Sequence, residues 1–156
     1  MDKELITATV SAKLKLIRTE RGYTQDKMAE VIGLSKKTLV QIEKERTTAG
    51  WTTAAAVCAL FRNSDILQSA LGGDPVEVAE LAVHKTISQP HARDKTMGGR
   101  VWWRELDRQK GVRLQQNVIS GHYRVLDAED YRLFSTYDAA EAEEHFQHYV
   151  KSIKDV

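Results

Sequence analysis

From Thr24 to Glu45 the chain reads Thr-Gln-Asp-Lys-Met-Ala-Glu-Val-Ile-Gly-Leu-Ser-Lys-Lys-Thr-Leu-Val-Gln-Ile-Glu-Lys-Glu, a run that leaves the backbone little choice. Thr24 follows a Gly-Tyr break and precedes apolar residues at Met28, Ala29 and Ile32, so its hydroxyl is placed to cap a helix starting at Gln25. Gly33 comes where a left-handed residue ends that helix without a Cβ penalty. Ser35 then caps a second run whose Leu39 and Ile42, with Thr38, turn inward. Two short helices joined by a turn of about three residues are the expected result.

On the second of these helices Lys36, Lys37, Gln41 and Lys44 fall on the outer face. A side-chain amide can bond adenine bidentately, and lysine can donate to guanine O6 or N7. The helix N-terminus, with two lysines in its first turn, also attracts phosphate. Gln25, opening the preceding helix, is positioned to touch a DNA backbone.

With Arg18, Arg21-Gly22, Thr24-Gln25, Ala29, Gly33, Ser35 and Ile42-Glu43 at these spacings, the first 71 residues resemble the Cro and lambda-repressor type of helix-turn-helix, the XRE family. The resemblance implies double-stranded DNA as partner, with Lys36, Lys37 and Gln41 reading base edges. It assigns Thr24, Gln25, Ser35, Lys44 and Arg46 to the DNA backbone, and Arg18 with Glu43 to a buried structural ion pair. One position departs: Glu45 stands where the family usually has glycine after Ile-Glu-x. A non-glycine residue in the left-handed conformation costs about 1–2 kcal/mol. The exit from the reading helix is therefore expected to differ, and the acid is unhelpful beside phosphates.

The remainder sorts by pattern. Residues 8–21 read as a first helix with Val10, Leu14 and Ile17 on one face. Trp51 to Phe61 and Ser64 to Leu71 give two more, for five in all; with Val57, Leu60 and Phe61 behind it, Trp51 reads as a core or interface residue rather than a phosphate-side aromatic. Asp74-Pro75-Val76-Glu77 opens a sixth helix to about Thr86, the acid as cap and proline in the first turn. Ile87 to Arg100 lacks an apolar period and reads as a linker or mobile loop. Strand-prone runs follow at Val101–Leu106, Val112–Ile119, His122–Leu126 and Tyr131–Ser135. A last helix from Asp138 to about Ile153 carries Ala142, His145, Phe146, Tyr149 and Ile153 on one side. The fold class is α+β: an all-α helix-turn-helix domain over 1–71, a helix and linker over 72–100, and a small antiparallel β-sheet plus C-terminal helix over 101–156.

The net charge of +1 conceals an asymmetry. Residues 1–71 hold 11 Lys and Arg against 8 Asp and Glu, whereas residues 101–156 hold 8 against 10. The basic end is the helix-turn-helix end, though its excess is modest, and dimerisation or a second contact is expected to supplement affinity. In the acidic half, Arg113, Arg124 and Arg132 on an exposed sheet face, with Trp102, Trp103, His122 and Tyr123, form a lesser candidate for DNA contact.

Cys58, the single cysteine, sits in an apolar helix and reads as core; a disulfide within the chain is excluded. His145 and His148 lie three apart, but no third metal ligand is evident. Without a glycine-rich phosphate loop, a cysteine metal cluster or a nucleophile beside a base, no catalytic function and no cofactor are expected. No apolar stretch approaches the roughly 18 residues of a membrane span, and a cytoplasmic location follows as an expectation. The leading expectation is a sequence-specific transcriptional regulator, a repressor by family default, acting as a homodimer, with an unknown protein or small-molecule effector at the C-terminal domain. The rival is a protein-interaction module, an antitoxin or adaptor, built on a helix-turn-helix scaffold.

Overall fold

The computed structural model describes residues 1–85 and 102–154, and the chain divides into two compact units, Met1–Gln89 and Pro90–Val156. Thr86, the linker expected over 87–100 and Val101 lie outside the described residues.

The first unit is helical: α1 (Lys3–Glu20), α2 (Gln25–Ile32), α3 (Lys36–Glu43), α4 (Trp51–Leu60), α5 (Asp65–Leu71) and α6 (Pro75–His84). Helix α1 begins five residues before the expected position 8. Asp2 accepts from the Leu5 N–H at 2.9 Å and caps it, although Ile6-Thr7-Ala8-Thr9-Val10 has poor helix propensity. Packing decides the matter, because Ile6, Val10, Leu14 and Ile17 are all fully buried. Each such aliphatic side chain contributes about 1.5–3 kcal/mol, against a few tenths lost per β-branched residue. Met28, Ile32, Leu39, Ile42, Val57 and Leu67 complete this core. Leu60, expected inside, is 56% exposed.

Three polar contacts lock these helices together. Buried Ser11 donates to the Thr7 carbonyl and accepts from the Ala49 N–H at 2.9 Å, tying the loop after α3 to α1. The Glu20 carboxylate at the end of α1 accepts from the Ser64 hydroxyl and the Asp65 and Ile66 N–H groups, capping α5. Arg62 grips Asp74 through two bonds of 2.9 and 2.7 Å, while Asp74 also caps α6. Burial pushes the Cys58 thiol up to about 11, as suits an inert core residue.

The second unit is a four-stranded antiparallel sheet in the order β1 (Trp103–Gln109), β2 (Val112–Asn117), β3 (Tyr123–Leu126), β4 (Arg132–Thr136), followed by α7 (Ala139–Ser152). Lys110 and Gly111 join β1 to β2, both at positive φ, the geometry of a type I′ hairpin. Strand β1 runs to Gln109 rather than ending at Leu106, since Asp107 and Gln109 pair with Leu114 and Val112. Val112, Leu114 and Val125 pack on Ala142, Phe146 and Val150 of α7. Ile153, expected on that stripe, is exposed and Val150 takes its place. His145 stacks on Phe134 with centroids 3.7 Å apart. The exposed arginine face is also corrected. Arg124 is only 6% exposed and Arg113 is mostly buried in an ion pair with Asp130; Arg132 is exposed. Among the described residues no helix is long and apolar enough to cross a membrane.

Candidate nucleic-acid interface

Local capping sets the angle between α2 and α3. The Thr24 hydroxyl accepts from the Lys27 N–H at 3.1 Å, and Ser35 accepts from the Thr38 N–H at 3.1 Å. Between them Gly33 takes φ 75°, and the Leu34 N–H bonds back to the Ala29 carbonyl at 2.9 Å. Met28, Ala29, Leu39 and Ile42 then face the core, which leaves the opposite side of α3 to solvent.

On that side Lys36, Lys37 and Lys44 are exposed and Gln41 is half-buried. Thr38, expected inside, is exposed as well, its hydroxyl 2.8 Å from that of Ser35; Val40 occupies the half-buried position instead. Lys36 is not a free cation, because its ammonium lies 2.9 Å from Asp26 on α2. Nothing in the sequence pairs them: ten residues separate the two, and only the packing of α2 against α3 brings them together.

Behind this face, Arg18 Nε donates to Glu43 Oε1 at 2.5 Å and Nη2 to Oε2 at 3.2 Å. Gln25 Nε2 donates to the same carboxylate at 2.9 Å, so its amide is partly spent inside the unit. Arg18 Nη1 also donates to the Tyr23 carbonyl, fixing the break before α2. The Glu43 side chain is 3% exposed. Burial works to raise its pKa, but hydrogen bonds from Arg18 and Gln25 and the charges of Arg18 and Lys15 outweigh it and hold the carboxyl below its usual range.

At the exit of α3, Glu45 adopts φ 59°. Its N–H bonds the Ile42 carbonyl and the Arg46 N–H bonds the Gln41 carbonyl, both at 3.0 Å. This is a Schellman closure. The expected change at this exit is therefore absent: the left-handed geometry is kept despite the glutamate, and Arg46 follows it as an exposed residue.

Residues 14–64 match a family model described as helix-turn-helix. The N-terminal half carries an XRE-type helix-turn-helix domain. The match takes in α2, α3 and α4 whole, with α1 from Leu14 onward. No curated protein and no solved structure matches the chain. Within the helix-turn-helix domain, α3 stands in the recognition-helix position that DNA-binding regulators of this architecture insert in the major groove.

Proposed function

We propose that the chain is a sequence-specific transcriptional regulator, a repressor, whose helix-turn-helix domain binds duplex DNA as a homodimer. The observation that carries this reading is the outer face of α3. There Lys37, Gln41 and Lys44 project from a helix held rigidly by its caps and by the Arg18–Glu43 pair. Lys36, Lys37 and Gln41 read base edges, with Lys36 leaving Asp26 on contact. Thr24, Gln25, Ser35, Lys44 and Arg46 line the flanks toward phosphate. Two copies would meet half-sites about one DNA turn apart.

Selection of binding sites from random duplex DNA tests this, with the wild type beside a Lys37→Ala, Gln41→Ala double variant. Both residues lie outside the fully buried core, so the variant retains the fold. The expected result is an enriched palindrome that the double variant loses or alters, with affinity falling steeply with salt. The Asp26–Lys36 pair and Glu45 favour one rival, a protein-binding module on the same scaffold. Absence of enrichment at low salt would select that rival.

A further inference from the structure

The sheet of the second unit has one face on α7 and another built around Arg124. Cross-strand pairing of Gln115 with Arg124, and of Arg113 with Leu126, sets these residues on the side away from Val112, Leu114 and Val125. Arg124 Nε donates to Gln115 Oε1 at 2.9 Å, and its Cζ lies 3.7 Å from the centre of the Trp103 ring. Its Nη2 is buried and has no hydrogen-bond partner among the described residues. A neutral amide and an aromatic ring offset only part of the cost of burying a cation.

The surroundings add positive charge. Arg113 and Arg132 both act on Arg124; burial first, then these two arginines, bring its pKa down to about 10. His122, whose ring is 4.9 Å from Trp103, is held below its usual range by burial and then by Arg124 and Arg132. Asp130 bonds Arg113 and Glu105 bonds Arg108. Among the described residues of this unit the five arginines all lie on strands, at 104, 108, 113, 124 and 132, while α7 carries Glu141, Glu143 and Glu144.

We propose that this face is an oxyanion site in which Arg124 receives a phosphate group through its unused Nη2, edge-on, with Arg132 supplying the remaining positive charge. The guanidinium fork suits a phosphate, and the Arg113–Asp130 pair beside it leaves the site with a net positive charge carried by Arg124 and Arg132. Entry of the group requires the half-buried Trp103 ring to leave the guanidinium it now covers. The phosphate belongs to a small effector or to a DNA backbone.

The test is a titration of the isotope-labelled full chain with inorganic phosphate, following the Arg124 Nε–Hε and Trp103 indole N–H resonances. The Arg124 signal is assigned by its loss in Arg124→Lys. A saturable shift of both signals, absent with chloride at equal ionic strength, is expected. It should vanish in Arg124→Met, weaken in Arg132→Ala and persist in the Lys37→Ala, Gln41→Ala variant. The amide spectrum verifies that each variant is folded. A parallel titration with duplex DNA separates the sources: shifts with DNA alone, retained in that double variant, would assign the phosphate to a DNA backbone. No saturable shift with either probe, or a phosphate shift surviving Arg124→Met, overturns the proposal. Failure of the binding-site selection would leave this result untouched.

Discussion

Replacing Glu43 with glutamine should destabilise the helical unit by about 3 kcal/mol, the lower end of the cost of breaking a buried ion pair. The lower end applies because the glutamine oxygen still accepts from Arg18. Its new amide, however, faces the Gln25 amide where a carboxylate oxygen now accepts at 2.9 Å, and Arg18 keeps its charge at 12% side-chain exposure. The folded Glu43 carboxyl titrates below its usual range. Its contribution is therefore fully present above the ordinary glutamate value of about 4.3 and is lost as pH falls through the lower folded value. Urea unfolding of both proteins along a pH series provides the assay. The variant's midpoint should drop at neutral pH with an unchanged slope, and the gap to wild type should narrow in acid. A loss under about 1 kcal/mol at neutral pH, or a gap that does not change with pH, would refute the reasoning. Arg18→Met with Glu43→Leu should recover much of the loss, since apolar replacements of a whole buried pair are often tolerated.

Glu45→Gly should raise stability by about 0.5–1 kcal/mol, as the left-handed strain of about 1–2 kcal/mol exceeds glycine's extra unfolded-state entropy; Glu45→Ala should show no gain in the same urea series. Asp26→Asn should free Lys36 and tighten duplex binding roughly 1.5- to 5-fold, the range implied by an exposed ion pair, with a steeper salt dependence; unchanged anisotropy titrations would count against it. Ser11→Ala leaves the buried Ala49 N–H unpaired and should lower stability by about 1–3 kcal/mol, with faster amide exchange at Ala49 as the local signature.

The helix-turn-helix domain was legible because its signals are short-ranged. Thr24, Gly33 and Ser35 each act within a few residues through caps and a left-handed turn. Even the α6 cap at Asp74 announced itself through the proline beside it. What escaped depended on sidedness and distance. The start of α1 lay hidden because Thr7 and Thr9 break the look of a helix, whereas the burial of Ile6 settles it. Arg124 looked solvent-bound by residue type, but the sheet buries it against Gln115. The Asp26–Lys36 pair joins two helices across a turn, and no periodicity within either one reveals it.

Helix α5 has seven residues, too few to persist alone in water, and the carboxylate that caps its first turn comes from Glu20, about 45 positions earlier. It cannot nucleate folding on its own. Its formation waits on loop closure against α1, so substitutions in α5 should leave the folding rate nearly unchanged and act on unfolding. The same dependence runs backwards: a chain that loses hold of α1 loses α5 with it, making the end of the bundle part of one cooperative transition instead of a fraying tail.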